Sequence, residues 1–489
     1  MTACVDGIPI PPMSSSPSEN RAPGEPAIAR RDVLFLAGIV LLSLALRVYG
    51  IRSWPLDQDE LYTLRDASDF GARSSSAGIT ARPLYYLLQH ALLAITPRSA
   101  GWLRVMPLAF GLLGIMASYL LARRLFGGVA GVVAALAVAV SPWHLYASQF
   151  ARYWSLVYLL ACLGILAVWN AREVGTPRRW LLALVTLWLG TLTHPTFVFP
   201  LVGAIGAMHV VSRDGRFTFS SPSPDAWRFC WLPLVGLVSV SFALSKMLSP
   251  AGQFGNGVGR GAVQSVGVFL GMVQWLSAEV VAMTGIAIVG MLLSARDRRW
   301  GSVVLAGATT MLVILAFASF ENDIYADYGM ASLPLMFATL GGAAQRLTEC
   351  TRTRAAAWAT CALVVAASLP ASLSHLSDGS RFEYRPAIES IRESGRRRPL
   401  LAWPLIVARY YAPELAVTEL LGTREQFEEF SRRGGFDVIV SHARNGVRVL
   451  DDQGLAWLDV HCRVRQRTTR PRLDYRSYRV DLWTCDGAT

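Results

Sequence analysis

Residues 105–121 read VMPLAFGLLGIMASYLL, seventeen positions without a charged side chain, and Arg123-Arg124 follows almost at once. A helix needs about 20 mostly apolar residues, within a range of roughly 17–25, to cross the hydrocarbon of a bilayer. A basic pair at one end marks the cytoplasmic side. Comparable apolar runs recur at Val33–Tyr49, Val129–Val140 continuing to Tyr146, Trp154–Trp169, Ala278–Leu293, Val303–Phe320, Met330–Ala344 and Ala355–Leu373. The chain therefore reads as a polytopic α-helical membrane protein. Composition agrees: of 489 residues 53% are hydrophobic and 16% charged, whereas soluble domains carry about a quarter charged residues.

The net charge of +12 does not point to nucleic acid, because the basic residues stand in short clusters between apolar runs. Those clusters form a ladder: Arg21/Arg30/Arg31, Arg123/Arg124, Arg172/Arg178/Arg179, Arg213/Arg216/Arg228, Arg296/Arg298/Arg299 and Arg346/Arg352/Arg354. Placing every cluster in the cytoplasm requires an even number of crossings between neighbours. Pro83–Ile95 then lies at the outer surface as a short helix, since thirteen residues reach only about 20 Å. Trp180–Val211 becomes a helical hairpin broken at His194-Pro195. The ladder gives about eleven spans, with the N-terminus inside and the C-terminal region outside the cytoplasm.

Three parts follow. Residues 1–32, rich in Pro and Ser, read as a disordered cytoplasmic tail. Residues 33–373 form the transmembrane part, whose residues 50–104 make an outer loop with surface helices. Residues 374–489 change character and read as a small extracytoplasmic α/β domain. In it Tyr384–Ser394 and Arg424–Arg433 are expected as helices, and Pro399–Trp403, Phe436–Ser441, Val447–Trp457 and Tyr475–Trp483 as strands. Cys462 and Cys485 stand apart from the membrane runs, and an oxidising compartment favours a disulfide between them.

This topology gathers polar residues on the outer face: Asp57, Asp59 and Glu60, then Arg82, Arg152, His194, and Glu321, Asp323 and Asp327. Charges near bilayer depth are costly and usually functional. Asp57 is placed to cap a short helix, with Glu60 closing a capping box three residues on. On that helix Asp59, Tyr62, Asp66 and Phe70 share a face, whereas Glu60 points about 100° away. Six further arginines in or beside the loop (47, 52, 65, 73, 98 and 104) break the positive-inside pattern, suggesting an anionic lipid or substrate nearby.

Several segments in order resemble a known family. Asp59-Glu60-Leu61-Tyr62 after Trp54, then Arg82-Pro83-Leu84-Tyr85-Tyr86-Leu87-Leu88, resembles the first loop of the GT-C glycosyltransferases. Arg104-Val105-Met106-Pro107 through Arg123-Arg124-Leu125-Phe126-Gly127, and Ser141-Pro142-Trp143-His144 through Arg152-Tyr153, resemble the segments after it. The branch is that of protein O-mannosyltransferases and aminoarabinose transferases, and the likeness runs over about residues 31–170 and more loosely to 373. It implies a GT-C-like fold and a polyprenyl-phosphate-linked sugar donor. It also implies inversion at the anomeric carbon, a lipid, glycan or protein acceptor, and Asp59 or Glu60 as the catalytic base. The leaving phosphate departs without protonation, so one base suffices. Cations must hold that phosphate, and arginine does so with two parallel hydrogen bonds; Arg82 and Arg152 are the candidates.

His194, Tyr325 and Tyr328 complete the candidate substrate-binding set with Tyr62, though aromatic belts at the membrane interface account equally for the last two. His144 reads as packed. No cofactor is certain: some relatives bind a divalent metal, and no metal-ligand spacing stands in this sequence. Three positions depart from the family: Arg82 stands where His or Pro precedes Pro83, Phe150 where an acid is common, and Asp327 where Arg precedes Tyr328. These departures keep open a catalytically inactive, glycan-binding relative; a transporter or flippase of a lipid-linked substrate is the other alternative. An alkaline phosphatase fused after Leu373 should be active, and a cytosolic fluorescent reporter at the same point dark; the reverse pattern would overturn the topology.

Overall fold

Several helices start on a side-chain cap, at Asp57, Ser141, Thr423 and Asp451. The protein, described by a computed structural model, is set out over residues 30–72, 77–197, 210–213, 216–219, 221–248, 326–394, 398–441, 449–471 and 477–487. Helix α1 (Arg30–Val48) leads to α2 (Gln58–Ser68). Asp57 starts α2: its carboxylate accepts the Asp59 N–H at 3.2 Å and Glu60 accepts the Asp57 N–H at 3.2 Å, the expected capping box. After α3 (Ala77–Ala81), Pro83 opens α4 (Pro83–Ile95), where a missing N–H costs nothing. The short surface helix expected from sequence has these same bounds.

Then come α5 (Ala100–Leu103), α6 (Val105–Phe126), α7 (Gly128–Val140), α8 (Pro142–Gln149), α9 (Trp154–Val174) and α10 (Pro177–Thr193). α10 stops at the expected His194-Pro195 break; the return leg of that hairpin lies outside the described residues, apart from a strand pair at its end, β1 (Val210–Arg213) with β2 (Arg216–Phe219). A π-helical turn at Trp227–Trp231 leads into α11 (Leu232–Leu248). α12 (Leu333–Thr351) and α13 (Ala355–Asp378) complete the bundle.

Four helical segments among the described residues are long and apolar enough to cross a membrane, or five if a bent pair counts as one span. The expected eleven is thus not what they display. The runs at 278–293 and 303–320 lie outside them. α1 carries Arg30, Arg31, Asp32 and Arg47, and α10 is only 17 residues long. The bent pair corrects the expected third span, because α7 and α8 meet at 60°. α6 packs on α7, α9 and α12, and α7 also on α1 and α13. A Cβ on Gly341 would sit 2.2 Å from the Ala130 carbonyl oxygen, so only glycine lets α12 seat against α7.

The bend has a chemical cause. Pro142 has no N–H, and a helix end leaves its last carbonyls without partners. Buried Arg47 donates from Nη2 to the Val138 carbonyl at 3.2 Å and from Nη1 to that of Ala139 at 3.0 Å. Ser372 on α13 donates to the Val140 carbonyl at 2.8 Å. Gln149 at the end of α8 returns the service to α1, donating to the carbonyls of Leu46, Arg47 and Tyr49 at 3.0–3.1 Å. Arg47, counted in sequence among arginines awaiting an anion, is spent on carbonyls.

Residues 400–485 build a five-stranded sheet in the order β4-β3-β5-β7-β6, from β3 (Leu400–Trp403), β4 (Val417–Glu419), β5 (Phe436–Ser441), β6 (Cys462–Pro471) and β7 (Ser477–Cys485). β3 is parallel to β4 and β5, while β7 is antiparallel to β5 and β6. Helices α14 (Arg385–Glu393), α15 (Leu405–Tyr411), α16 (Arg424–Arg433) and α17 (Asp452–His461) accompany it. Strand alternation divides the faces: Leu401, Val438, Val440 and Trp483 join Phe427 and Trp457 in a separate core, while Leu400, Ala402, Ile439 and Leu482 join the core of the bundle. The expected Cys462–Cys485 disulfide is present and closes β6 against β7.

The strand expected at Val447–Trp457 is corrected, since Asp451 accepts the Gly454 N–H and starts α17 there. Removing Arg47 should strand two buried carbonyls, each worth about 1–3 kcal/mol when unsatisfied. Arg47→Met should therefore lower the thermal unfolding midpoint in detergent more than Ser372→Ala, which strands one.

Candidate active site

Glu60 is fully buried at the first turn of α2 and is surrounded by donors. Arg104 reaches it twice, Nε to Oε1 at 2.8 Å and Nη2 to Oε2 at 2.6 Å. Arg381, just beyond α13, donates from Nε at 3.1 Å, and the Ala151 N–H from the joint of α8 and α9 donates at 2.9 Å. Burial alone would raise the pKa of this carboxyl. Arg104, Arg381 and the hydrogen bonds outweigh burial and hold it down to about 2, from an ordinary 4.5.

The remaining donors of both arginines go to backbone. Arg104 binds the carbonyls of Ile51, Trp54 and Pro55, and Arg381 those of Gly379 and Gln149. Gly379 has φ +72°, and a Cβ there would lie 2.5 Å from the Trp54 ring, against which Arg381 also packs. α15 pins the same loop, because Tyr411 Oη accepts the Leu56 N–H at 2.6 Å.

Asp59, the next residue back, faces elsewhere. Its side chain is 29% exposed, and its Oδ1 lies 3.6 Å from Arg152 Nη2. Arg152 also donates to Tyr86 Oη at 3.2 Å and lies 5.1 Å from the centroid of Tyr153. Arg82, the residue before α4, places its guanidinium carbon 4.7 Å from the same centroid, and its buried Nε has no hydrogen-bond partner among the described residues. His194 stacks on Tyr153 at 4.4 Å and tilts against Trp154 at 4.8 Å. Two cations, an imidazole and a carboxylate thus converge around one buried ring, from α2, α4, the start of α9 and the end of α10.

Of the residues singled out in sequence, the structure brings together Asp59, Arg82, Arg152 and His194. Tyr62 is engaged instead on its own helix, by Gln58 and by Arg65. Tyr325 lies outside the described residues, as does the side chain of Tyr328. The 3-10 turn Ala326–Ala331, which holds the Tyr328 backbone, packs on α9 and on the turn Pro195–Phe197. Sequence reasoning gave no site role to Tyr153, Tyr86 or Arg381, and counted Arg104 only among the loop arginines. For Arg381 the signal was its place two residues beyond the glycine that ends α13. Among the described residues no group of three His, Cys, Asp or Glu side chains could hold a metal ion.

Comparison with known proteins bears on this arrangement. The family described as dolichyl-phosphate-mannose-protein mannosyltransferase matches residues 80–242, which include Arg82, Arg152, Tyr153 and His194 but begin after Asp59. The crystal structure of ArnT from Cupriavidus metallidurans in the apo state superposes with TM-score 0.55 at 14% identity, covering 92% of this chain and 97% of that one. The chain has the GT-C fold. The same ArnT bound to undecaprenyl phosphate gives TM-score 0.53 at 14% identity over 92% and 97%. An Archaeoglobus fulgidus oligosaccharyltransferase in complex with Zn and sulfate gives 0.52 at 14% over 83% and 67%. No curated protein sequence matches. In this GT-C fold the converging residues lie at the end of the bundle that carries the loop of residues 50–104 and the sheet.

Because the folded pKa of Glu60 is depressed, its contribution to stability is complete above about 4.5 and is lost as pH falls toward about 2. Glu60→Gln would leave two guanidinium groups buried without a carboxylate and should cost about 3–5 kcal/mol. Unfolding midpoints measured from neutral pH into acid should fall below about pH 4 in the wild type, and Glu60→Gln should lower the curve and flatten that acid limb.

Proposed function

We propose that the protein is an inverting glycosyltransferase that moves a sugar from a polyprenyl-phosphate donor to a hydroxyl of a lipid, glycan or protein acceptor on the extracytoplasmic face. The observation that carries this reading is the pair of arginines gathered on Tyr153 beside a partly exposed carboxylate, Asp59. A phosphate monoester leaving group needs cations in a sheltered place, and the acceptor needs a base within reach. The GT-C fold adds weight, since one structure sharing it is that of a protein bound to undecaprenyl phosphate.

In the proposed reaction Asp59 takes the proton of the acceptor hydroxyl as its oxygen forms a bond to the anomeric carbon. The bond from that carbon to the phosphate oxygen breaks on the opposite side, the phosphate keeps the electron pair, and the configuration inverts. Arg82 and Arg152 neutralise the charge that grows on the phosphate, in a setting where burial strengthens each contact. Tyr153 and His194 fix the two guanidinium groups sideways. Glu60, with every approach occupied, acts as a positioning residue that sets the direction of Asp59.

The disulfide supports the orientation. Cys462–Cys485 belongs to the sheet that shares a core with the loop end of the bundle, and disulfides persist in oxidising compartments. The transporter reading is less well supported, because the charges gathered on Tyr153 lie at one end of the helices, whereas transporter sites lie near the midplane.

The test is transfer from labelled polyprenyl-phosphate sugars by the full chain in proteoliposomes. Asp59→Asn should lower turnover by about 10²–10⁴ with insertion intact, and Arg82→Gln should weaken donor binding. Wild-type turnover in Asp59→Asn, on a donor the wild type uses, would remove Asp59 from the mechanism. A wild type inert toward every such donor would favour the glycan-binding relative.

A further inference from the structure

At the end of the bundle away from the candidate site, α1, α7, α12 and α13 leave a cavity of about 340 Å³. The separation is large: along α13, Trp358 at the cavity and His375, whose ring lies 5.4 Å from that of Trp54 in the loop before α2, are seventeen residues apart, about 26 Å at 1.5 Å per residue. Val133 and Cys361 form a buried apolar floor, while Asp32 and the exposed Arg354 bring opposite charges to the same lining. Gln345 also lines it, but its amide is occupied, accepting the Val129 N–H at 3.1 Å and donating to Glu349 at 3.0 Å.

The cavity opens toward surface that a bilayer would cover. Phe35 on α1 and Trp358 on α13 meet edge to face at 5.4 Å and are 44% and 56% exposed. Leu34, Leu41 and Leu42 continue an exposed apolar face along α1, as Leu363 and Leu369 do along α13. An aromatic pair beside charged residues at a helix end is the pattern of a membrane interface. A soluble ligand would gain nothing from the apolar floor, whereas an amphiphile fills both halves.

We propose that this cavity seats one phospholipid with a primary amine in its headgroup. Its phosphate lies on Arg354, its ammonium on Asp32, and the start of one acyl chain against Val132 and Val133. Opposite charges in one lining favour a zwitterion over a purely anionic headgroup, which would meet Asp32. A choline headgroup offers that carboxylate no N–H. Arg123, 3.9 Å from Asp32, does not displace the ammonium, since a carboxylate has about four acceptor positions. The proposal stands apart from the glycosyltransferase reading, and its test does not read sugar transfer.

The full chain is reconstituted in nanodiscs of equimolar phosphatidylethanolamine, phosphatidylglycerol and phosphatidylcholine with matched chains, then released for native mass spectrometry of retained lipid. The wild type should retain phosphatidylethanolamine about tenfold over the other two, a difference of about 1.4 kcal/mol. Asp32→Asn should bring it to the level of phosphatidylcholine, and Arg354→Gln should lower retention of all three. Val132→Trp should fill the cavity and abolish retention. Arg352→Gln, an exposed arginine outside the lining, should change nothing and controls for surface charge. Equal retention of the three lipids, none retained, a preference that survives Asp32→Asn or Val132→Trp, or crosslinks placing residues 1–29 in the cavity would overturn the proposal.

Discussion

The fold turns on one buried carboxylate. Glu60 receives donors from the start of α6, from the segment that joins α13 to the sheet, from the α8–α9 joint and from its own helix start. Loop, bundle and sheet therefore meet at a single charged group. A buried ion pair gains little net stability over a well-packed apolar substitute, because desolvation offsets the attraction, but breaking one side leaves an uncompensated charge. What the cluster provides is geometry. With Glu60 fixed, α2 has one rotation about its axis, and Asp59 is carried around to Arg152.

The same economy governs the helix breaks on which the candidate site is built. Arg152 and Tyr153 stand at a joint between α8 and α9, and His194 at the end of α10. Irregular backbone is tolerated at membrane depth only where its polar groups are met by protein or water. Here Arg47, Ser372 and Gln149 meet them at the α7–α8 bend and at the end of α1. At the α8–α9 joint itself Glu60 accepts the Ala151 N–H and Arg381 donates to the Gln149 carbonyl, so the break that places Arg152 and Tyr153 is met by protein as well.

Much of this was legible in the residues. Apolar run length and the Arg ladder located α6, α9 and α13, Pro83 located α4, and Asp57 with Glu60 announced the capping box that separates the two acids. Local chemistry decides those features, so local sequence reveals them. Arg47 and Arg104 were misread as awaiting an outside anion: many of their donors meet backbone carbonyls, which are identical in every sequence, and the anion that Arg104 meets is Glu60 of the same chain. β6 was missed since Arg463, Arg465 and Arg467 give it no apolar alternation; pairing with β7 and the disulfide make it a strand. Tyr153 and Arg381 gain their places from contacts between distant segments, which spacing along the chain does not encode.

The central claim is that Arg82 and Arg152, gathered on Tyr153 beside Asp59, form the seat of a lipid-linked phosphate. A structure of the full chain with a polyprenyl phosphate bound tests it most directly. The account predicts phosphate oxygens within hydrogen-bond distance of both guanidinium groups, with Asp59 on the side from which an acceptor would approach and Glu60 still held by Arg104 and Arg381. A phosphate seated elsewhere, with Arg82 and Arg152 making no contact to it, would contradict it.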